Sequence, residues 1–468
     1  MHRFLISAAH KSSGKTTVSV GIAAAARARG LAVRPFKKGP DYIDPLWLAQ
    51  AAGHECRNLD FFLSGPDELR AQFARHAAGA DLCLVEGNKG LYDGLDLEGS
   101  NSNAALARLL DLPVVLVLDA RGMTRGIAPL ILGYQAFDPA IRIAGIILNR
   151  LGGSRHEAKL RAVIEHYTDV EVLGAVHEDA GIALAERHLG LMPANEAGAA
   201  AAAIAAIGSH IAREVDLDRL LALTSTDLAL PSFLPPRPRT QPAVRIGIAR
   251  DRAFGFYYSD DLDALRAAGA ELTSFDTLAT PRLPAVDGLF IGGGFPECCA
   301  AELEANAGLR EDIREAIRSG MPAYAECGGL MYLARSITWK GETHRMVGVI
   351  PADVRMHDKP VGRGYVRLAE TGALAWPRPA GMPETIAAHE FHYSSLENLP
   401  ADTRWAYRVV RGYGCDGRND GILVHKLLAS YTHLRASARY DWAARFVAFV
   451  REHARSGMLE AMPDAAER

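Results

Sequence analysis

Close to the N-terminus, the apolar run Phe4–Ala8 passes directly into Ala9-His10-Lys11-Ser12-Ser13-Gly14-Lys15-Thr16-Thr17 and then into a helical stretch, Thr16–Arg29. A strand feeding a tight turn and a helix start commits this part of the chain to a sheet wrapped by helices. It also aims backbone N–H groups and the positive end of a helix at an anion. The turn follows the phosphate-loop pattern G-x-x-x-x-G-K-[ST], except that Ala9 replaces the first glycine. Gly14, Lys15, Thr16 and Thr17 are therefore the expected nucleotide-binding residues. Lys15 suits the β- and γ-phosphates, and the Thr16 hydroxyl suits Mg²⁺. A helix start merely rich in serine and glycine would not account for the apolar strand that precedes it.

The strand and helix rhythm continues through the first half. Apolar runs at Ala32–Phe36, Leu82–Glu86, Val114–Leu118, Ile143–Leu148 and Val172–Val176 are separated by helical stretches such as Ser102–Leu110. Several are continuously apolar, as strands covered on both faces must be. The stretch Leu228–Pro242 then carries five prolines, which block helix and remove ladder donors. Beyond it the rhythm restarts, with strands at Val244–Ala249, Glu271–Phe275, Gly288–Ile291 and Met321–Ala325 and helices at Ser259–Ala268 and Gly308–Ser319. The expected organisation is a phosphate-binding domain over 1–225, a linker over 226–242, a second domain over 243–450 and a tail over 451–468. A chain of 468 residues is also too long for one typical core.

Bulk properties exclude some partners. The net charge of −3, with signs interspersed, leaves no basic footprint for nucleic acid or an anionic membrane. No apolar run approaches the roughly 18 residues of a membrane span, and Met1–Ile6 is too short for a secretory signal. Six sparse cysteines without zinc-type spacing suit a reduced, cytoplasmic protein.

Lysine is scarce, 9 residues against 43 arginines, yet Lys11, Lys15, Lys37 and Lys38 fall within the first 38 positions. Lys37 and Lys38 follow the second strand, where open α/β sheets place ligand groups. The turn Gly39-Pro40-Asp41-Tyr42-Ile43-Asp44-Pro45 comes next. Its lysines suit an anionic substrate or an acyl phosphate and its carboxylates suit a metal, against the alternative of a solvated turn. Glu86, which closes its strand, is the expected Mg²⁺ ligand ahead of Asp119. Asn149 and Arg150, at another strand end, offer hydrogen bonds to a nucleotide base.

In the second half, Met321–Ala325 runs into Glu326-Cys327-Gly328-Gly329. A cysteine on a strand–turn–helix elbow is exposed by the turn, and the helix start favours its thiolate. The base it needs is His433, at the end of the strand-like Leu427–His433, or one of its competitors His389, His392 and His425. Local sequence does not rank them. Gly293 and Gly294, in the turn after Gly288–Ile291, provide backbone N–H groups for an oxyanion hole.

Together these motifs resemble the cobyrinic acid a,c-diamide synthase family. The match extends over nearly the whole chain, through Pro35–Pro45, Asn58-Leu59-Asp60, Glu86-Gly87, Asn149-Arg150, Gly293–Glu297, Glu326–Leu330, His389–Ser394 and Ser430–His433. The resemblance implies an α/β protein, with a dethiobiotin-synthetase-like P-loop domain followed by a class I glutamine amidotransferase domain. It implies a ligase that phosphorylates a tetrapyrrole acetate with ATP and displaces the phosphate with ammonia from L-glutamine, Mg²⁺ serving as cofactor. Cys327 would be the nucleophile and His433 the residue that activates it. Asp41, Tyr42 and Asp44 would lie near the acceptor carboxylate and Asn149 near adenine. The leading acceptor is cobyrinate, in cobalamin biosynthesis, and a homodimer is an assembly compatible with this reading. The loop Glu86–Leu95 and the variant P-loop are also similar to a siroheme-amidating subgroup linked to dissimilatory sulfite reductase, which makes siroheme or sirohydrochlorin the alternative. A regulatory P-loop ATPase with a non-catalytic glutaminase-like module is the competing class, and it leaves Cys327 without a use. One departure from the general pattern stands out. Ordinary class I glutaminases carry Glu two residues after the histidine, where this chain has Arg435.

Overall fold

The computed structural model describes residues 1–179, 186–187, 190–195, 200–226 and 244–460. The chain divides into two compact units, Met1–Pro235 and Pro236–Arg468. Apart from Thr226, the proline-rich stretch expected at 226–242 lies outside the described residues. No described helix is long and apolar enough to cross a membrane.

The first unit is built on seven strands: β1 (His2–Ala8), β2 (Val33–Lys38), β3 (Arg57–Leu59), β4 (Leu82–Glu86), β5 (Val114–Asp119), β6 (Ile143–Leu151) and β7 (Val172–His177). They lie in the order β3-β2-β4-β1-β5-β6-β7, and every neighbouring pair is parallel. Side chains alternate across a strand, so Phe4 and Ile6 pack with Val18 and Ile22 on one face, while Leu5 packs with Phe36 and Phe73 on the other. Both faces are dry, which is why these strands read as unbroken apolar runs. Because β1 sits between β4 and β5, the loops after β1, β2 and β4 leave from the same edge of the sheet.

Several boundaries differ from the sequence reading, each for a tertiary reason. β2 runs on to Lys38, so both lysines lie in the sheet rather than after it; β3 pairs with them, Lys37 opposite Asn58 and Lys38 opposite Leu59. At three residues, β3 is too short to show a periodicity of its own. The stretch read as a turn through Pro45 gives way to a helix at Ile43–Ala52. The Asp41 carboxylate accepts the N–H groups of Ile43 (2.8 Å) and Asp44 (3.1 Å) at its start. β6 extends through Asn149 and Arg150 to Leu151, with Arg150 at φ 61° where the register against β7 shifts.

The second unit holds a nine-stranded sheet. Ala270–Phe275, Val244–Ala249, Gly288–Ile291, Ala323–Glu326 and Leu427–Ser430 form its parallel part. Asn419–Val424, Arg404–Arg411, Gly362–Glu370 and Ile386–His392 extend it antiparallel. This extension escaped the sequence reading because one face meets solvent; Ile386–His392 alternates between buried and half-buried positions. The last helix, Trp442–Glu460, runs across position 451, where a tail was expected. Its Trp442 packs against Phe290 and Tyr324 of two central strands.

Candidate functional site

Each unit brings one group of chemically capable side chains together. In the first, the turn after β1 ends at Gly14, and the helix Lys15–Ala28 begins there. Gly14 has φ 85°, and a Cβ there would stand 2.1 Å from Asn149 Nδ2, so both conformation and space demand glycine. The first turn of this helix carries no acidic residue and no side-chain cap. The N–H groups of Lys15, Thr16 and Thr17 are thus left without intrahelical partners, the arrangement that suits a phosphate.

Around this helix start the charges interlock. Lys15 Nζ donates to the Lys89 carbonyl (2.8 Å). Thr16 Oγ1 donates to Glu86 Oε1 (2.8 Å), which also accepts from Lys37 Nζ (2.8 Å), and Lys37 reaches Asp44 Oδ2 at 2.5 Å. Lys38 Nζ donates to Asn88 Oδ1 (3.0 Å). All three lysines are buried. Burial, and then the charge of Lys37, pushes Lys15 down to about 8. Burial also pushes Lys38 down to about 8, against the opposing pull of Asp60. Burial works against Lys37 too, but Asp44 and Glu86 outweigh it and hold that ammonium well above its ordinary value. Asp41 rises to about 7 through burial and the neighbouring charge of Asp44. Tyr42 is the residue immediately before the helix Ile43–Ala52.

Glu86 is fully buried, and its Oε2 has no hydrogen-bond partner among the described residues. An orphaned carboxylate oxygen beside a threonine hydroxyl that already gives its proton to the same carboxylate fits a divalent cation. Among the described residues no three His, Cys, Asp or Glu side chains cluster as ligands. Asp119 is otherwise engaged. Burial opposes its charge, yet Arg121 and Arg150 hold it down at about 2.

Asn149, expected near a base, donates its amide to the Ser13 carbonyl (2.8 Å) and braces the phosphate loop. Two further asparagines do similar work. Asn58 Nδ2 donates to the carbonyls of Gly39 (2.9 Å) and Asp41 (2.7 Å). Asn103 Nδ2 donates to Ser7 Oγ (3.0 Å) and the Gly90 carbonyl (3.0 Å). Neither role was read from sequence. The contacts of Asn58 span 17 to 19 positions and that of Asn103 to Ser7 spans 96, so no local pattern could have revealed them.

In the second unit, strand Ala323–Glu326 delivers Cys327 at φ 48°, ψ −102°, ahead of the short helix Gly328–Leu333. This strained turn lies close to the turn after Gly288–Ile291. A Cβ on Gly329 would stand 2.1 Å from the Ile291 carbonyl oxygen, and one on Gly328 would stand 2.9 Å from Gly294 N. The Gly294 amide therefore borders the elbow, and a Cβ on Gly293 would meet His433 Cε1 at 2.7 Å.

The structure separates the competing histidines. His433 lies three residues beyond strand Leu427–Ser430 rather than at its end. It is fixed by a backbone bridge to His389, with His433 N donating to His389 O (2.7 Å). Its Nδ1 meets Glu326 Oε2 at 3.1 Å. Burial alone would lower the imidazolium; hydrogen bonds to the Cys327 and Glu326 side chains, and their charges, raise it to about 10. His389 is pushed down to about 3 by burial and by the charge of His433. His392 bonds the Ser394 carbonyl (2.8 Å) and stacks on Tyr431, and His425 occupies a turn at φ 52°. Arg435 points elsewhere: it pairs with Asp260 (2.6 Å) and lies over the Tyr258 ring.

Comparison with known proteins agrees with this division of labour. Residues 5–191 match the CobQ/CobB/MinD/ParA nucleotide binding domain, and residues 245–440 match the CobB/CobQ-like glutamine amidotransferase domain. The chain is 48% identical over 457 residues to a cobyrinate a,c-diamide synthase of Magnetococcus marinus, covering 96% of this chain and 97% of the relative. It is 41% identical over 473 residues to a cobyrinate a,c-diamide synthase of Methanosarcina acetivorans, covering 95% and 94%.

Proposed function

The chain belongs to the cobyrinate a,c-diamide synthase family, and from that premise we propose that it amidates the a and c acetate carboxylates of cobyrinate, using ATP and glutamine in the cytoplasm. The observation that supports this best is the pairing in one chain of a lysine-lined phosphate site, around Lys15, Lys37 and Glu86, with a cysteine elbow bonded to His433.

In the first unit, Gly14, Lys15, Thr16 and Thr17 bind the triphosphate of ATP. The acceptor carboxylate attacks the γ-phosphorus, forming an acyl phosphate and releasing ADP. Lys37 and Lys38 hold the anions involved, with Asp41, Tyr42 and Asp44 bordering the acceptor. Thr16 and Glu86 hold Mg²⁺, which offsets phosphate charge when bound. In the second unit, the Cys327 thiolate attacks the glutamine carboxamide carbon. The oxygen that becomes negative is met by N–H groups of the Gly293-Gly294 turn. Protonated His433 gives its proton to the departing nitrogen, so ammonia leaves and a γ-glutamyl thioester remains, which water hydrolyses to glutamate. Ammonia then attacks the acyl phosphate carbon, expelling phosphate and leaving the amide.

The test is a mass readout after incubating the protein with ATP, Mg²⁺ and glutamine, offering cobyrinate, siroheme or sirohydrochlorin in turn. The expected product is the cobyrinate diamide. Conversion of siroheme alone would move the reading to the siroheme-amidating alternative. ATP hydrolysis with no amidated product from any of the three would favour the regulatory ATPase.

A further inference from the structure

A glutaminase histidine needs a group on Nδ1 that sets its tautomer and supports its positive charge. The position that ordinarily supplies that acid is occupied here by Arg435, whose guanidinium is committed to Asp260 and Tyr258. We propose that Glu326, the residue immediately before the nucleophile, is the positioning carboxylate of this centre, replacing an acid that would otherwise follow the histidine. The assignment rests on the glutaminase reading of Cys327 and His433.

The geometry is specific. Glu326 ends its strand, directly opposite Ser430 in the parallel pair that leads to His433. Its two oxygens divide the work. Oε2 meets His433 Nδ1 at 3.1 Å, leaving Nε2 as the ring nitrogen for Cys327. Oε1 accepts the Leu434 N–H (2.9 Å) and the Tyr324 hydroxyl. The carboxylate is thus clamped by a strand neighbour and by the backbone next to the histidine, and at 3% exposure it is shielded from water. A buried carboxylate held this way costs desolvation unless a cation answers it, and protonated His433 is that cation. The same backbone step that places Cys327 on its elbow therefore also places the acid. Glu326 therefore reaches the histidine from the strand end, while Cys327 follows it on the strained turn.

A purely structural Glu326 would affect stability without touching the chemistry of the thiol. The experiment therefore uses the full chain and two independent readouts. In Glu326→Gln, kcat/KM for glutamine hydrolysis is expected to fall by on the order of 10²–10⁴-fold, mostly in kcat. Amidation driven by free ammonium salt should stay near wild type. Alkylation of Cys327 by iodoacetamide, which needs no tetrapyrrole, should shift its midpoint upward by about one pH unit or more, because a less supported imidazolium stabilises the thiolate less. Glu326→Asp should recover part of both losses. An unchanged alkylation profile together with unchanged glutamine hydrolysis in Glu326→Gln would overturn the assignment. So would parallel loss of the ammonium-driven reaction, which would mark Glu326 as a folding residue. If the wild type alkylates at Cys327 with the expected profile but releases no glutamate from glutamine, the glutaminase reading itself fails, separately from the placement of the acid.

Discussion

Around Lys15 the charges answer one another only in part, whereas around Cys327 the protein completes the arrangement by itself. The first centre buries three ammonium groups on a strand and a helix start. Two of them are driven down to about 8, and Glu86 keeps an oxygen that accepts nothing among the described residues. In the proposed function such a site is finished by its ligand, with phosphates answering the lysines and the N–H groups of the helix start and a cation answering the carboxylate. In the second centre the imidazole is already met by the Glu326 and Cys327 side chains, whose hydrogen bonds and charges outweigh the burial that opposes its protonation. One centre is organised to receive charge and the other to hold it ready.

The largest test of this contrast is Cys327→Ser. Glutamine-dependent amidation should fall by on the order of 10⁴-fold or more, while amidation from ammonium salt persists; assaying both nitrogen sources on one preparation reads the difference. Loss of both would mean that the two centres are not chemically separable. Lys15→Ala is the complement. It should reduce amidation from either nitrogen source by on the order of 10²–10³-fold and leave glutamate release from glutamine intact.

A smaller effect probes the packing of the second centre. In Gly329→Ala the new methyl group would meet the Ile291 carbonyl at 2.1 Å, and overpacking of this kind costs about 1–3 kcal/mol. Denaturant unfolding should show the loss, while ATP binding measured by calorimetry is unchanged. A further effect is in pH. His433 has its pKa raised from 6.5 to about 10, so its contribution to stability is complete below pH 6.5 and is lost as pH climbs towards 10. Lys15 has its pKa lowered from 10.5 to about 8, so its cost is complete below pH 8 and fades as pH climbs towards 10.5. Unfolding free energies across this range should lose the downward slope in His433→Gln and the upward slope in Lys15→Met. Slopes of the same sign would break the contrast.

Local chemistry was legible from the start. The phosphate turn and the cysteine elbow each occupy a few consecutive residues whose backbone demands, a left-handed Gly14 and a strained Cys327, are written in their neighbours. Long strands such as Val114–Asp119 announced themselves by continuous apolarity. Less was legible where function depended on pairing. Nothing near Lys37 indicated that it would sit inside a sheet opposite Asn58, and nothing near Asn149 indicated that its amide would brace Ser13. The antiparallel strands of the second unit alternate like surface structure and lack the dense signal of a buried core.

What the sequence by itself determined is therefore the kind of local architecture, a P-loop turn and a cysteine elbow at the ends of parallel strands, because those features depend on contiguous residues and on steric limits that hold in any context. What only the tertiary structure decided is which distant groups complete them. It brought Glu326 to the His433 imidazole across 107 positions of chain, set His392 against Ser394 and Tyr431, and engaged Arg435 with Asp260. Hydrogen bonds and burial act over a few ångströms of space and take no account of separation along the chain.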